Sequence, residues 1–135
     1  MIKKFKNSCG IPRKDMPQIH KSNTVSFCCW LQREFNVTSR FVSCRIFKIK
    51  PTQSEYNTEK VQSKMDEGLE NIKKPLVVSG EGYLLDGHHT YKAIMNIYQN
   101  ERVDVIRIDT PIKQLIEYAK KYEHSYTKDI NDELL

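Results

Sequence analysis

The stretch that most constrains the fold is PLVVSGEGYLLDGHHTYKAI, residues 75–94, because it changes from strand to helix within a few residues. Two short apolar runs, residues 76–79 and 83–85, are separated by a Gly-Glu-Gly turn, which is typical of a β-hairpin. Gly87 then allows a sharp backbone turn, and apolar residues at helical spacing follow over residues 88–98. A hairpin that runs directly into a helix predicts a fold in which sheet and helices pack together.

Elements of both kinds flank this stretch. The apolar pattern and the capping residues predict further helices at residues 24–36, 58–72 and 110–122, and further strands at 41–49 and 103–108. Asn57 or Thr58 would cap the second of these helices, whereas the two prolines of residues 9–19 favour an extended loop. The order strand, helix, hairpin, helix, strand, helix predicts an α+β domain. We divide the chain into a basic N-terminal segment packed on or flanking the core (1–40), a domain (41–123) and a tail (124–135).

The positive charge of the chain is concentrated at one end. The net charge is +5 over 135 residues, but residues 1–50 hold 11 Lys and Arg against two acids, whereas residues 51–135 hold 11 against 15. A basic segment with interleaved aromatic residues would bind phosphate backbone and stack on bases, or it would be a solvated surface with its aromatic residues in the core. If the segment binds DNA, the candidate contacts are Arg13, Lys14, Arg33, Arg40 and Arg45.

The remaining composition limits the environment of the protein. No apolar run approaches the roughly 18 residues of a membrane span, and the basic start lacks the apolar region of a signal peptide. We therefore expect a cytoplasmic protein without a membrane partner. The four cysteines show no zinc-ligand spacing, so we expect reduced and mostly buried thiols.

The turn at residues 86–90 has the chemistry of a phosphate site. The N–H groups near His88, His89 and Thr90 open a helix, where the helix dipole is positive and an anion binds well. The histidines would add donors, acceptors or a proton-transfer group near neutral pH. Asp86 would orient a histidine or bind a divalent metal ion carried by a nucleotide. The alternative is an ordinary helix cap with no ligand.

The motif LVVSGEGYLLDGHHTYKAI resembles the signature of the ParB/sulfiredoxin superfamily, in which a strand ends in a D-G-H-H-R-type motif that opens a helix. The match extends over about residues 47–118, and IPRKDMPQI at residues 11–19 resembles a segment of phage-encoded ParB-like proteins. The resemblance implies a mixed sheet flanked by helices, and it implies a phage protein in the cytoplasm of a bacterial host. The superfamily includes CTP-binding partition proteins, sulfiredoxins, free-serine kinases and proposed nucleases.

Transferred residue by residue, the resemblance favours the kinase-like branch. His88 stands where sulfiredoxins have their catalytic cysteine, so the chain lacks the group that sulfinic acid repair requires. In the kinase-like branch, His88 and His89 would contact nucleotide phosphates, and Glu55 would match the acidic general base.

The remaining nucleotide contacts come from the same resemblance. Thr52, Gln53, Gly87 and Lys92 would complete the phosphate site. The family arginine is replaced by Thr90, which cannot make a bidentate phosphate contact. Lys92 or the basic N-terminal segment would have to compensate.

Three functions follow as expectations. The first is a phosphotransferase that uses ATP or another nucleoside triphosphate together with Mg²⁺. It would phosphorylate a hydroxyl on DNA or a nucleotide. Its catalytic residues would be Glu55, Asp86, His88 and His89. The second is a ParB-like DNA-binding module or metal-dependent nuclease. The third is a non-enzymatic phage protein that acts on a host factor.

Overall fold

A computed structural model of the chain describes residues 1–71, 75–128 and 130. Within these residues the helices are α1 (Thr24–Phe35), α2 (Thr58–Glu67), α3 (His88–Ile97) and α4 (Ile112–Lys121). The strands are β1 (Ile2–Lys4), β2 (Ser39–Arg45), β3 (Glu55–Asn57), β4 (Leu76–Ser79), β5 (Leu84–Asp86) and β6 (Arg102–Ile108).

The central sheet is mixed and has the strand order β2-β6-β4-β5. Strand β6 runs parallel to β4 and antiparallel to β2, and the β4–β5 hairpin is antiparallel. A separate antiparallel ribbon joins β1 to β3. The predicted α+β fold, a mixed sheet flanked by helices, is confirmed.

Each face of the sheet buries its own apolar cluster, as expected when alternate side chains of a strand point to opposite faces. On one face, Ile106 of β6 packs with residues of α1 and α4, and Met16 and Ile19 of the N-terminal segment are buried in the same cluster. On the other face, Val105 packs with residues of α3 and of the 3₁₀ turn Ile46–Lys48. The N-terminal segment therefore contributes to the main core.

Several predicted boundaries shift in the structure. The strand predicted at residues 41–49 covers Ser39–Arg45, because the chain then enters the 3₁₀ turn that buries Ile46. Helix α2 ends before Gly68, whose φ of +85° leaves the helical region; the predicted end at residue 72 lies outside the described residues. The predicted Asn57 cap is confirmed, since its side chain accepts hydrogen bonds from the N–H groups of Glu59 and Lys60.

One short strand and one expectation remain to be placed. Glu55, which belonged to no predicted element, lies in β3, where it pairs with Lys4 of β1. The expectation of mostly buried cysteines is wrong: Cys9 and Cys29 are exposed, while the other two are partly buried. Cys29 faces solvent because it lies on the outer side of α1, whose buried side is formed by Phe27 and Leu31.

Gly87, which precedes α3, has a conformation that only glycine adopts without strain. Its φ is +102°, and a Cβ atom there would lie 2.5 Å from Cδ2 of the buried Leu76. We predict that Gly87→Ala lowers the free energy of unfolding by about 2–4 kcal/mol, because backbone strain and overpacking add.

Gly10→Ala is the matched control, since Gly10 has φ +77° with nothing within 4 Å of the added Cβ. Gly10→Ala should lower the free energy of unfolding, measured by urea denaturation, by only about 1 kcal/mol. Equal losses for the two variants would contradict a close approach at Gly87.

Candidate phosphate-binding cleft

A cleft of about 260 Å³ lies at the start of α3, against one side of α2. Of the residues predicted to form the site, it brings together six, which are Arg13, Asp86, Gly87, His88, His89 and Thr90. The other described residues that line it are Gln18, Lys60, Ser63, Lys64, Glu67, Tyr126 and Lys128. The N-terminal loop, the helix start and the predicted turn therefore meet at one place.

His88 is 3% exposed and holds a neighbouring loop. Its Nε2 atom accepts hydrogen bonds from the backbone N–H groups of Thr52 and Gln53, each at 3.0 Å. Burial, followed by the positive charge of neighbouring groups, lowers the pKa of His88 to about 3. The ring is therefore neutral at pH 7, and because Nε2 accepts, the proton is on Nδ1.

His89 is bound in a similar way but faces the cleft. Its Nε2 atom accepts from the Asn57 N–H at 2.9 Å, and burial, followed by the charges of Arg13, Lys60 and Lys64, lowers its pKa to about 3. The proton of the neutral ring is therefore on Nδ1, which lies 3.4 Å from Nη1 of Arg13.

The approach of His89 and Arg13 brings two donors together. A guanidinium has no acceptor, so Nδ1–H and Nη1–H cannot form a hydrogen bond with each other. Arg13 Nη1 already donates to Gln53 Oε1 at 3.4 Å, and an acceptor oxygen beside both groups would accept from His89 Nδ1–H and from the guanidinium. Such a pair of donors suits an oxyanion.

The start of α3 adds further donors. The first intrahelical hydrogen bond runs from Tyr91 N to Gly87 O at 2.8 Å. The N–H groups of His88, His89 and Thr90 precede it, so the helix itself provides no acceptor for them. These groups and the positive end of the helix dipole favour an anion in the cleft.

Charged side chains in the cleft are mainly basic. Arg13, Lys60, Lys64 and Lys128 line it, against the carboxylates of Glu67 and Asp86. Asp86 is 6% exposed and Glu67 is exposed. In the described part of the chain, no group of three or more His, Cys, Asp or Glu residues is arranged to hold a metal ion by itself.

Three of the predicted phosphate-site residues and the predicted general base lie outside the cleft lining. Thr52 and Gln53 are fully buried behind His88. Lys92 points elsewhere, with its Nζ 5.4 Å from the centre of the Tyr56 ring. Glu55 is half-buried on β3, and its carbonyl accepts a hydrogen bond from the Gln53 side chain at 2.6 Å.

The predicted DNA-contacting residues other than Arg13 are also outside the lining. Lys14 is exposed in the 3₁₀ turn that contains Arg13. Arg33 lies on α1 beside Glu34, at 3.5 Å. Arg40 and Arg45 are exposed on β2. Trp30 packs against Phe27, Phe35 and Tyr122, as expected for a core residue.

One wall of the cleft, the side of α2, was not predicted from the sequence. It is formed by residues with the spacing i, i+3, i+4, i+7, which places them on one helical face; they are Lys60, Ser63, Lys64 and Glu67. This polar stripe was a usable signal. Tyr126 and Lys128 had none, because they reach the cleft through a long-range pairing of Tyr126 with Gln18.

A larger cavity of about 610 Å³ adjoins the cleft at Thr90, which lines both. Apolar residues such as Leu76 and Ile94 contribute to its lining, and its charged residues are mainly acidic: Glu70, Glu101 and Asp104 against Arg102. That charge is unsuited to phosphate, so the smaller basic cleft is the better anion site.

No protein-family model and no curated protein matches the chain. A solved structure of a Pnob8-like ParB-N domain is similar, with 16% sequence identity and a TM-score of 0.48. The similarity covers 62% of this chain and 35% of that chain, so the chain corresponds to about a third of that structure. At this level of similarity, the comparison defines no activity for the chain.

None of the helices within residues 1–71 and 75–128 is both long enough and apolar enough to cross a membrane.

The two buried histidines predict a pH dependence of stability. Below pH 6.5 the unfolded chain protonates them, whereas the folded chain keeps them neutral down to about pH 3. The contribution of the two histidines to the free energy of unfolding is therefore fully present above pH 6.5. It falls as the pH drops, by up to about 1.4 kcal/mol per pH unit for each histidine. Urea denaturation at pH 7 and about pH 5 measures the loss.

His88→Gln retains an acceptor oxygen but does not titrate, so it should remove about half of the histidine contribution to this loss. His20→Gln, at an exposed position, is the control and should leave the loss unchanged. A wild-type protein equally stable at both pH values would show that the rings are not held neutral.

Proposed function

We propose that the chain binds a nucleoside triphosphate in this cleft and transfers its terminal phosphoryl group to a hydroxyl. The observation that carries the proposal is the approach of two donors, His89 Nδ1–H and Arg13 Nη1–H, at 3.4 Å. A phosphate oxygen would accept from both. The adjacent N–H groups at the start of α3 support a second oxygen of the same phosphate.

The wall formed by α2 supports a ligand with more than one phosphate. Lys60 and Lys64 lie one helical turn apart on the same side of the cleft, and Lys128 adds another positive charge. Phosphoryl transfer depends mainly on positioning and on neutralising charge on the transferred group. The excess of cations over carboxylates in the cleft suits both tasks.

The cleft residues fit a magnesium ion that arrives with the nucleotide. Mg²⁺ is usually held by one or two carboxylates together with phosphate oxygens and water. Asp86 and Glu67 are the carboxylates among the described lining residues, and they would be its protein ligands. The bound ion would neutralise charge on the phosphates.

His88 acts in this proposal as a positioning residue. Its Nε2 already accepts two backbone hydrogen bonds, so it would fix the loop of residues 52–53 behind the cleft. His89 would be the histidine that contacts phosphate through Nδ1–H. The paired histidines would thus have different tasks.

The resemblance assigns the general base to Glu55, whose side chain lies on the same side of β3 as that of Asn57. Glu67 lines the cleft directly, but in this proposal it binds the magnesium ion. Glu55→Gln should therefore abolish turnover while nucleotide binding persists, whereas Glu67→Gln should raise the Mg²⁺ concentration that turnover requires. Unchanged turnover in Glu55→Gln would remove Glu55 from the mechanism.

Transfer of label from γ-labelled ATP tests the reaction. We predict that, in the presence of Mg²⁺, label moves to one member of a panel of DNA and nucleoside acceptors, and that ATP is consumed only with that acceptor. Intact ATP and no labelled acceptor would contradict the phosphotransferase. Nicking of plasmid with divalent metal and no ATP, lost in His88→Ala, would instead favour the nuclease.

Binding of ATP tests the cleft separately from the reaction. We predict that Lys64→Ala weakens ATP binding about tenfold, since a charge-assisted contact to phosphate contributes about 1.4 kcal/mol. Lys92→Ala is the matched control and should change the affinity less than about twofold, because Lys92 stacks over Tyr56 outside the cleft. A larger effect at Lys92 would place the ligand on the other side of α3.

Thr90→Arg tests the departure from the family motif. Thr90 is half-buried and lines the cleft, so an arginine there would reach the same ligand and bind phosphate with two hydrogen bonds. We predict about tenfold tighter ATP binding in calorimetry. The uncharged Thr90→Gln should bind like the wild type, and no gain with arginine would argue against phosphate beside residue 90.

A further inference from the structure

The larger cavity beside the cleft has an apolar wall on one face of the central sheet. Four of its lining residues belong to the apolar cluster beneath α3 or pack against that cluster: Leu69, Leu76, Ile94 and Val103. Its volume of about 610 Å³ is within the usual range of small-molecule sites. Thr90, one helical turn before Ile94 on α3, lines the cleft as well. A ligand held in the cleft can therefore extend past Thr90 into the cavity.

The cleft and the cavity carry opposite charges. Cations predominate in the cleft, whereas carboxylates outnumber cations among the described residues of the cavity. Carboxylates accept hydrogen bonds and donate none. A ligand that fills both spaces would therefore have its negative charge at one end and an uncharged body with hydrogen-bond donors at the other. A nucleoside triphosphate is such a ligand, with its phosphates in the cleft and its nucleoside in the cavity.

Glu101 is a carboxylate of the cavity that the backbone holds in place. It is partly buried, its N–H donates to the Tyr98 carbonyl at 3.2 Å, and its own carbonyl accepts from the Ile46 N–H at 2.8 Å. Its Oε1 atom accepts from the Arg102 N–H at 3.1 Å. Because each carboxylate oxygen accepts more than one hydrogen bond, the group is still able to bind a ligand. Glu70, by contrast, is exposed.

The length of α3 suits a nucleoside that extends from phosphates at the start of the helix. From Thr90 to Ile97, the last residue of α3, the helix rises about 10 Å. Glu101 follows after a short turn in which its N–H returns to Tyr98. A nucleoside is of similar length, so its base would reach the carboxylate beyond the end of the helix.

The four common bases differ in the edge that they present to a carboxylate. Guanine has two adjacent donors, N1–H and the N2 amino group, which match the two oxygens of a carboxylate. Adenine and cytosine have an acceptor nitrogen beside their amino group, and uracil has one donor between two carbonyl groups. Guanine is therefore the base that forms two charge-assisted hydrogen bonds with a carboxylate and opposes no acceptor to it.

We propose that the cavity binds the base of the nucleotide and that Glu101 selects guanine through N1–H and the N2 amino group. This assignment rests on the proposed nucleotide site in the cleft and narrows its substrate to a guanine nucleotide. ATP would still bind through its phosphates, but the N1 acceptor of adenine would oppose the carboxylate. A base that leaves a partly buried acceptor unpaired binds less tightly.

Calorimetric titration in the presence of Mg²⁺ with GTP, ITP, ATP and inorganic tripolyphosphate tests the proposal. ITP keeps the N1–H of guanine but lacks the N2 amino group. Affinity should therefore fall in the order GTP, ITP, ATP, and GTP should bind at least about tenfold more tightly than ATP. Tripolyphosphate has no base and should bind more weakly than GTP.

Glu101→Gln keeps the size of the side chain and an oxygen for the Arg102 N–H. It should weaken GTP binding at least about tenfold, leave tripolyphosphate unchanged and leave ATP no weaker, because an amide pairs with both N1 and the amino group of adenine. Asp104→Asn is the matched control, since it removes the same charge from the cavity lining. Alternation along β6 places Asp104 on the sheet face opposite that of Val103, so all four affinities should change less than about twofold.

Equal affinity of the wild type for GTP and ATP, or a preference for GTP that survives Glu101→Gln, would overturn the guanine site and leave the cleft proposal intact. Tripolyphosphate binding as tight as that of GTP would also overturn it, by placing the nucleoside outside the cavity. Failure of all four ligands to bind would instead overturn the proposed function, and the guanine site with it. Wild-type resistance of Glu101→Gln to urea excludes a folding defect as the cause of weaker GTP binding.

Discussion

The arrangement of the cleft depends on two imidazole rings that accept backbone hydrogen bonds. Through Nε2, His88 and His89 hold residues 52–57 against the start of α3. That segment in turn holds the N-terminal residues, through the β1–β3 ribbon and the bridge between Ile11 and Gln53. The N-terminal loop then returns Arg13 to His89, and Arg13 also contacts the Gln53 side chain at 3.4 Å. Helix start, loop and N-terminal segment thus form one closed set of contacts.

The same contacts fix the protonation of both rings and so divide their tasks. A ring that is buried and accepts through Nε2 is neutral, with its proton on Nδ1. His88 therefore holds the loop, whereas His89 directs its Nδ1–H donor at the guanidinium of Arg13. Two donors that face each other would share an acceptor placed beside them, and basic residues surround that point. The proposed phosphate site therefore rests on how the fold is held together as well as on the helix dipole.

The sequence predicted the parts of the fold that rest on local patterns. The hairpin, the turn at Gly87, the Asn57 cap and the α+β class all follow from turn chemistry and periodicity. Contacts between distant segments have no local sequence pattern of this kind. Strands β1 and β3 have only three residues each, which is too few to show alternation. The pairing of Gln18 with Tyr126 joins the N-terminal segment to the tail. The polar side of α2 was visible in the spacing of Lys60 and Lys64, but it looked like an ordinary solvated helix face. Which histidine would hold the loop and which would face the cleft depended on the tertiary structure.

The most direct test of the account is the tautomer of His89, observed by long-range ¹H–¹⁵N correlation NMR at pH 7 before and after addition of ATP. The account predicts a neutral ring with its proton on Nδ1 in both states, and a downfield shift of that proton when a phosphate oxygen accepts from it. His88 should be in the same tautomer and change little, because its Nε2 stays bonded to Thr52 and Gln53. A His89 proton on Nε2, or an Nδ1 proton that does not respond to saturating ATP, would contradict the account.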